Sequence, residues 1–252
     1  MAVEATGPEV GFPVDPLHQF VVVPLLDINV GSLDLSFTNS ALWMAITVLF
    51  ISGFMLLAMR GRALVPGRLQ SCAELLYETI ANMVRDNVGQ GGRAYFPFIF
   101  SLFLFLLFGN VFGLIPSSFT FTSHIVVTFA LAIAIFIAVT VIGIAKHGVR
   151  FFTLFFPHGA PLWTAVILVP IELISYLSRP ISLSMRLFAN MMAGHIMMKV
   201  FAGFVLLMGL VGVVPLAALV GITILELLVA VLQAYIFTIL ACVYLHDALH
   251  LH

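Results

Sequence analysis

The most constraining feature of the sequence is an apolar run that is too long to cross a bilayer upright. Pro215–Tyr244 has 30 residues and a single charged side chain, Glu226. A helix of that length measures about 45 Å, whereas the hydrocarbon core of a bilayer is about 30 Å thick. The mostly apolar stretch before it, about Trp163–Met208, is longer still. We therefore expect two overlong helices that tilt strongly or lie partly along the membrane, joined as a hairpin near Gly209–Gly212.

The composition agrees with a membrane protein. Of the 252 residues, 62% are hydrophobic and 8% are charged, whereas a soluble domain is about half apolar and about a quarter charged. These values exclude an ordinary soluble globule and a disordered chain. A protein that binds nucleic acid would need a basic face, which a chain with a formal net charge of -1 does not offer.

Three shorter apolar runs precede the hairpin, and each has the length of about one transmembrane helix. They are Ala41–Met59, Phe96–Ile115 and Ile125–Ala145. Between the first two, residues 68–88 place apolar side chains at a helical period, which predicts an amphipathic helix on the membrane surface. The predicted fold class is an all-α polytopic membrane protein with about three steep transmembrane helices, one amphipathic surface helix and a long, strongly tilted two-helix hairpin.

The basic residues predict the orientation of these segments. Five arginines lie in the connection between the first two spans. The connection between the second and third spans has no lysine or arginine, and the connection after the third has two basic residues, Lys146 and Arg150. The positive-inside rule then places the arginine-rich connection in the cytoplasm and the acidic N-terminus outside. We divide the chain into an outward-facing N-terminal segment (1–40), three transmembrane helices with the surface helix at about 68–88 (41–160), and the tilted hairpin (161–252).

Ionisable residues inside a membrane helix cost at least ~2.5–3.5 kcal/mol each and therefore indicate function. At 100° per residue, Arg179, Arg186 and Asn190 fall within about 60° of one another on one face of the first hairpin helix. Glu172 joins this face only if the helix is straight through Pro180. No carboxylate lies within a turn of Arg186, so its permanent cation predicts a partner outside the hairpin.

The hairpin also predicts which residues of its two helices meet. Counting equally in both directions from the turn places His195 opposite Glu226 and Asn190 near Gln233. A histidine and a carboxylate in contact inside a membrane can pass a proton and compensate each other's charge. Two simpler interpretations stay open at this point. The pair of His195 and Glu226 is then only a buried structural contact. Arg179 then only extends to the interface or binds a lipid headgroup.

The sequence contains none of the motifs of soluble enzymes, such as HExxH, GxSxG or a Walker loop. A secondary ion-coupled transporter would show an internal repeat with broken helices, and an intramembrane enzyme would place a nucleophile beside His195 and Glu226. The sequence shows neither feature. We therefore expect no catalytic residue, no metal site and no cofactor.

Two segments resemble a known family. Arg179–His195 reads RPISLSMRLFANMMAGH, and Leu232–Phe237 reads LQAYIF. Both are similar to the signatures of subunit a of the F-type ATP synthases. Asn110–Pro116 and Val65–Gly67 add to the resemblance, which covers roughly Phe37–Tyr244.

The resemblance implies a role as the stationary half of a proton turbine, packed against a rotating c-ring whose subunits each carry a membrane carboxylate. The family's essential arginine maps to Arg186, which would attract the ionised ring carboxylate and separate two half-channels. The family's other proton-translocation positions map to Asn190, His195, Glu226, Gln233, Glu172 and His124. In some members the acid and the histidine are exchanged between the positions of His195 and Glu226, so the order of proton transfer along them stays open.

The resemblance further implies a non-catalytic subunit, since the ATP chemistry lies on other subunits. Its expected partners are the c-ring, the peripheral-stalk b subunits, other ATP synthase subunits and membrane lipids, with no nucleic acid. The expected location is the inner membrane of a bacterial cell, with the mitochondrial inner membrane as the alternative.

Overall fold

The structure is a computed structural model of the chain, and it describes residues 20–26, 29–30, 33–34, 36–60, 66–115, 118–148, 151 and 165–249. Within these ranges the protein is an all-α polytopic membrane protein, and the predicted fold class is confirmed. Its helices are α1 (Asn39–Met59), α2 (Arg68–Val88), α3 (Phe96–Gly113), α4 (Ile125–His147), α5 (Ala165–Leu207) and α6 (Val213–Leu249). Every helix except α2 is long and apolar enough to cross a membrane.

Helix α2 is the amphipathic helix. It ends at Gly89, whose φ of 79° lies in the left-handed region that favours glycine. Its buried side chains recur mostly at spacings of three or four residues and pack against α1, α3 and α6. They are Ala73, Ile80, Met83, Val84 and Val88. The opposite face carries charge, including the exposed neighbours Arg85 and Asp86. This division between apolar and charged faces suits a helix at a membrane surface.

Helix α6 is the central helix of the described bundle, because it packs against α2, α3, α4 and α5. Three fully buried alanines, Ala230, Ala234 and Ala241, allow these neighbours to approach closely. Three polar side chains of α6, Glu226, Gln233 and Thr238, are also buried. They are therefore enclosed by other helices of the protein.

Helices α5 and α6 form the predicted hairpin. They contain 43 and 37 residues, which correspond to about 65 and about 55 Å at 1.5 Å per residue. The turn is the 3₁₀ segment Gly209–Gly212. Gly209 has a φ of 53°, and a Cβ on Gly212 would lie 2.7 Å from the carbonyl oxygen of Val205. Glycine is therefore required at both ends of the turn.

Helix α1 lies at the edge of the described bundle. Its buried residues are Ser40, Thr47 and Ala58, and the Phe50 ring packs edge-on against two aromatic rings of α3. Much of its surface is exposed, as at Leu49, which is 71% exposed. An apolar helix with this exposure is suited to contact lipid.

The described part of the N-terminal segment contains short strands, which the sequence analysis did not predict. Strand β1 (Pro24–Leu26) pairs antiparallel with β4 (Phe37–Thr38), and β2 (Asn29–Val30) pairs with β3 (Leu33–Asp34). The Asn39 side chain accepts a hydrogen bond from the Val23 amide and donates one to the Val21 carbonyl. These contacts tie the strands to the first turn of α1. Residues 1–19 of the proposed outward segment lie outside the described residues.

Candidate functional site

The hairpin carries most of the candidate residues. Glu172, Arg186, Asn190 and His195 lie on α5, whereas Glu226 and Gln233 lie on α6. The helical period separates those on α5, because Arg186 and Asn190 are exposed while His195 is buried on the other side. The α5–α6 contact therefore forms a polar path inside the protein beside an exposed arginine.

Asn190 and Gln233 join the two hairpin helices by a direct hydrogen bond. The Asn190 Nδ2 donates to Gln233 Oε1 at 3.1 Å. The Nε2 of Gln233 is buried and has no hydrogen-bond partner among the described residues. Asn110 of α3 holds the same part of α6, since its Nδ2 donates to the Ala230 carbonyl at 3.2 Å. The register counted from the turn thus places Asn190 beside Gln233 correctly.

The carboxylate of Glu226 lies directly against the backbone of Gly194, the residue before His195. A Cβ at residue 194 would overlap this carboxylate, so the close approach requires glycine. Glu226 is buried, and its Oε1 has no hydrogen-bond partner in the described part of the chain. The structure therefore brings Glu226 within one residue of its predicted partner, without a hydrogen bond between the two side chains.

His195 makes its hydrogen bond to a different residue, Thr120, which precedes α4. The distance between His195 Nε2 and Thr120 Oγ1 is 3.1 Å. Both residues are buried, with exposed fractions of 3% and 1%. The hydroxyl of Thr120 also donates to the Gly113 carbonyl at the end of α3, at 3.0 Å. This contact links the hairpin to the α3–α4 connection.

His124 lies at the same end of the bundle as His195. Its ring stacks on Phe119 with centroids 4.9 Å apart. The Phe20 ring is edge-on to both imidazoles, 6.4 Å from His124 and 6.3 Å from His195. Burial lowers the pKa of His124 below its ordinary value, because a buried imidazole loses the hydration of its charged form. His124 is therefore more readily neutral than a solvated histidine.

Arg186 has no ion-pair or hydrogen-bond partner within the described residues. It is exposed on α5, whereas Leu183, Leu187 and Met191 of the same helix are buried against the bundle. An exposed guanidinium on a helix that can span a membrane requires a compensating charge from elsewhere.

Arg179 differs from the expectation that it extends to the interface or binds a lipid headgroup. Its Nη1 donates to Asp247 Oδ2 of α6 at 3.0 Å. Its guanidinium also lies 5.4 Å from the ring centroid of Tyr176 and 5.1 Å from that of Tyr244, which is within range of a cation–π interaction. The sequence analysis did not predict Asp247 as the partner, because this contact lies far from the turn, where the register counted from the turn is no longer accurate.

Glu172 is separated from the other candidates. It lies 14 residues before Arg186 on α5, about 21 Å along the helix axis, and it is half-buried. It forms no ion pair with another described residue. The described ranges also contain no group of three or more His, Cys, Asp and Glu side chains that could hold a metal ion.

Thr120 and Gly194 are two further contact residues that the sequence analysis did not single out. Gly194 lies inside the recognised segment, and Thr120 lies in a short run of hydroxyl side chains that the structure buries. The described members of this run are Ser118, Thr120, Thr122 and Ser123. Four small polar residues between two apolar spans are a signal that would have marked this connection.

Fold and site together define a multi-pass membrane protein whose helical hairpin encloses titratable and amide side chains beside an exposed arginine. The family model described as ATP synthase A chain matches residues 41–246. The chain therefore belongs to the ATP synthase subunit a family, the proton-translocating subunit of the membrane sector, which works within the ATP synthase complex.

Similar proteins agree over nearly the whole chain. The ATP synthase subunit a of Parvibaculum lavamentivorans is 60% identical over 256 residues, which cover 98% of this chain and 98% of the relative. That of Rhodospirillum rubrum is 60% identical over 238 residues, covering 94% and 99%. That of Paramagnetospirillum magneticum is 58% identical over 245 residues, covering 94% and 99%.

Proposed function

We propose that this chain is the non-catalytic, stationary proton conductor of an F-type ATP synthase and that Arg186 faces the carboxylates of the c-ring. The observation that carries the proposal is the exposed position of Arg186, without an acidic partner in the described chain, on a helix that can span a membrane. A ring carboxylate that passes this position would be held in its ionised form by the cation. The same charge repels a proton moving directly between the two half-channels.

The remaining candidates form two half-channels on either side of Arg186. His124, His195 and Glu226 belong to the outer one, because they lie toward the α3–α4 connection that the positive-inside rule places outside. The Asn190–Gln233 pair lies between them and Arg186, so it continues the outer path toward the ring. Glu172 lies on the other side of Arg186 and belongs to the inner half-channel.

The energetics support rotation as the means of coupling. One proton crossing a membrane potential of ~150 mV releases ~3.5 kcal/mol, which is well short of the free energy that ATP synthesis requires. Several protons must therefore contribute to each ATP. A rotating ring sums them, provided that the two half-channels never join, and a fixed arginine between them meets this requirement.

The partners and location follow from this role. We assign the c-ring to the exposed face of α5 that carries Arg186, and we expect the peripheral-stalk b subunits, other ATP synthase subunits and membrane lipids to cover other faces. The N-terminal segment (1–40) would lie outside and the α2 surface helix inside. We propose the inner membrane of a bacterial cell as the location, with the mitochondrial inner membrane as the alternative.

Disulfide cross-linking in the assembled complex tests the assignment of this face. A cysteine in place of Ser182, which is exposed and one turn from Arg186, is expected to cross-link to a cysteine beside the ring carboxylate. Leu49→Cys is the control. Leu49 is also exposed, at 71%, but it lies on α1 at the edge of the bundle rather than on α5. Cross-linking of the Leu49 variant but not of the Ser182 variant would overturn the proposal.

A further inference from the structure

The Thr120 hydroxyl that contacts His195 also lies close to the carbonyl oxygen of Gly113. The Thr120 hydroxyl lies 3.1 Å from His195 Nε2 and 3.0 Å from this carbonyl oxygen. A carbonyl oxygen only accepts hydrogen bonds, and a hydroxyl has one proton to donate. Both bonds therefore exist together only when Thr120 donates to Gly113 and His195 donates from a protonated Nε2.

The Gly113 carbonyl needs this donor. Gly113 is the last residue of α3, so its carbonyl lies among the helix-end groups that lack an intrahelical donor. The Ser118 hydroxyl lies 3.2 Å from it but is closer to the carbonyls of Phe112 and Ile115, at 2.6 and 2.7 Å. A buried carbonyl without a donor is costly, which favours donation by Thr120.

Gly113 also permits the close approach of Thr120. A Cβ at residue 113 would lie 2.6 Å from the Cγ2 of Thr120 and 2.9 Å from its Oγ1. Thr120 is held against the end of α3 in this way, and its exposed fraction is 1%. Burial excludes solvent that could replace either hydrogen bond, so the arrangement of donor and acceptor is preserved.

We propose that Thr120 is a positioning residue that fixes neutral His195 as the tautomer protonated on Nε2. This proposal rests on the proposed role of His195 in the proton path. Nδ1 is then the nitrogen with a free lone pair, so a proton enters the imidazole at Nδ1 and leaves from Nδ1. The Nε2 proton stays on His195 and is donated to Thr120 Oγ1 throughout, and this hydrogen bond also stabilises the imidazolium that forms. The charged groups nearest this step are Glu226 on α6 and Lys199 on α5, one turn from His195.

Solid-state NMR of the whole complex in lipid, with ring-¹⁵N histidine in subunit a, measures the tautomer directly. The His195 signals are assigned by subtracting the spectrum of the His195→Gln variant. We expect a protonated Nε2 and an unprotonated Nδ1 in the parent and in Thr120→Ser, and a mixture of tautomers in Thr120→Val. An Nδ1-protonated ring in the parent, or an unchanged tautomer in Thr120→Val, overturns the proposal.

Proton pumping provides the second readout, normalised to the amount of assembled complex. We expect Thr120→Val to lower ATP-driven pumping about fivefold, the scale of one lost buried hydrogen bond, and Thr120→Ser to restore it to within about twofold. Thr122→Val is the matched control, because Thr122 is buried in the same connection and its hydroxyl has no partner among the described residues. An equal loss in Thr122→Val would assign the effect to packing of the connection and overturn the proposal.

Failure of this inference is distinguishable from failure of the proposed function. Normal pumping by the His195→Gln variant would remove His195 from the proton path, whereas the NMR measurement would still decide what Thr120 does to the ring. If Thr120→Val fails to assemble, the tautomer of the parent decides alone, because an Nδ1-protonated ring contradicts the proposed arrangement.

Discussion

Two arginines on α5, seven residues apart, have opposite surroundings. Arg179 is bound to Asp247 at 3.0 Å and lies against two tyrosine rings. Arg186 is exposed and has no ion pair within the described residues. The first charge is compensated inside the chain and holds α5 to α6, whereas the second has no compensating charge within the described residues, as its proposed contact with the c-ring requires.

The two carboxylates of α6 show the same difference. Asp247 is paired with Arg179, whereas Glu226 is buried with one oxygen that lacks a partner in the described chain. A buried carboxylate without a partner is unfavourable for stability, so stability does not explain it. Pairing thus separates the charges that hold the fold together from those that we propose to act in proton translocation.

The largest expected effect is that of Arg186→Ala, which should abolish ATP synthesis and ATP-driven proton pumping while the complex still assembles. The neutral side chain no longer draws the proton from a ring carboxylate, and passive proton conduction should persist or rise. Arg186→Lys should also fail in coupled synthesis, since it loses the planar guanidinium and can lose its proton. Proton flux and ATP synthesis in vesicles check this, and near-normal synthesis with alanine would remove Arg186 from the mechanism.

Substitution of the unpaired carboxylate should have the next largest effect. Glu226→Ala or His195→Ala should lower proton flux by about 10²-fold or more, the lower end of the range that a positioned proton-transfer group contributes. The exchange of His195→Glu with Glu226→His should retain more flux than either single exchange. A double variant that is no better than the worse single variant would contradict direct coupling of the two positions.

Arg179→Ala should have a smaller effect and of a different kind. We expect a loss of about 1–3 kcal/mol in stability, between the values for surface and fully buried ion pairs, because Asp247 is left without its partner. Pumping per assembled complex should be almost unchanged. Thermal unfolding combined with flux measurements tests this, and a stable but inactive Arg179→Ala complex would show that Arg179 shares the role of Arg186.

The smallest effect is expected for Arg85→Ala on the surface helix. The nearest carboxylate oxygen of Asp86 is 3.8 Å away, and both side chains are more than 70% exposed. Exposed pairs contribute about 0–1 kcal/mol, so stability and pumping should both stay near the parent values. A clear loss of assembly in this variant would show that α2 contacts another subunit through Arg85.

Periodic patterns predict much of this molecule, because hydrophobic spacing and glycine turns are local properties of the chain. The lengths of the apolar runs predict the hairpin, and the position of its turn predicts the contact between Asn190 and Gln233. That prediction succeeds because two antiparallel helices with one short turn have little freedom in register.

Contacts between distant segments could not be predicted in this way. His195 and Thr120 are 75 residues apart, and Arg179 and Asp247 are 68 residues apart. The first contact depends on how α5 packs beside the α3–α4 connection, which the period of a single helix does not record. The second lies within the hairpin but far from its turn, where a small error in the counted register has accumulated. The short strands before α1 were missed because they have only two or three residues each, too few to show an alternating apolar pattern.

The central position of α6 has a consequence for how the protein is made. Helix α6 comes last among the six helices in chain order, yet α2, α3, α4 and α5 all pack against it. During synthesis the earlier helices enter the membrane before their shared neighbour exists. Lys146 and His147 of α4 can bind the Leu249 carbonyl only when the end of α6 has emerged from the ribosome. Completion of the bundle is therefore a late event, and a ribosome that stalls within α6 leaves four helices without their common partner.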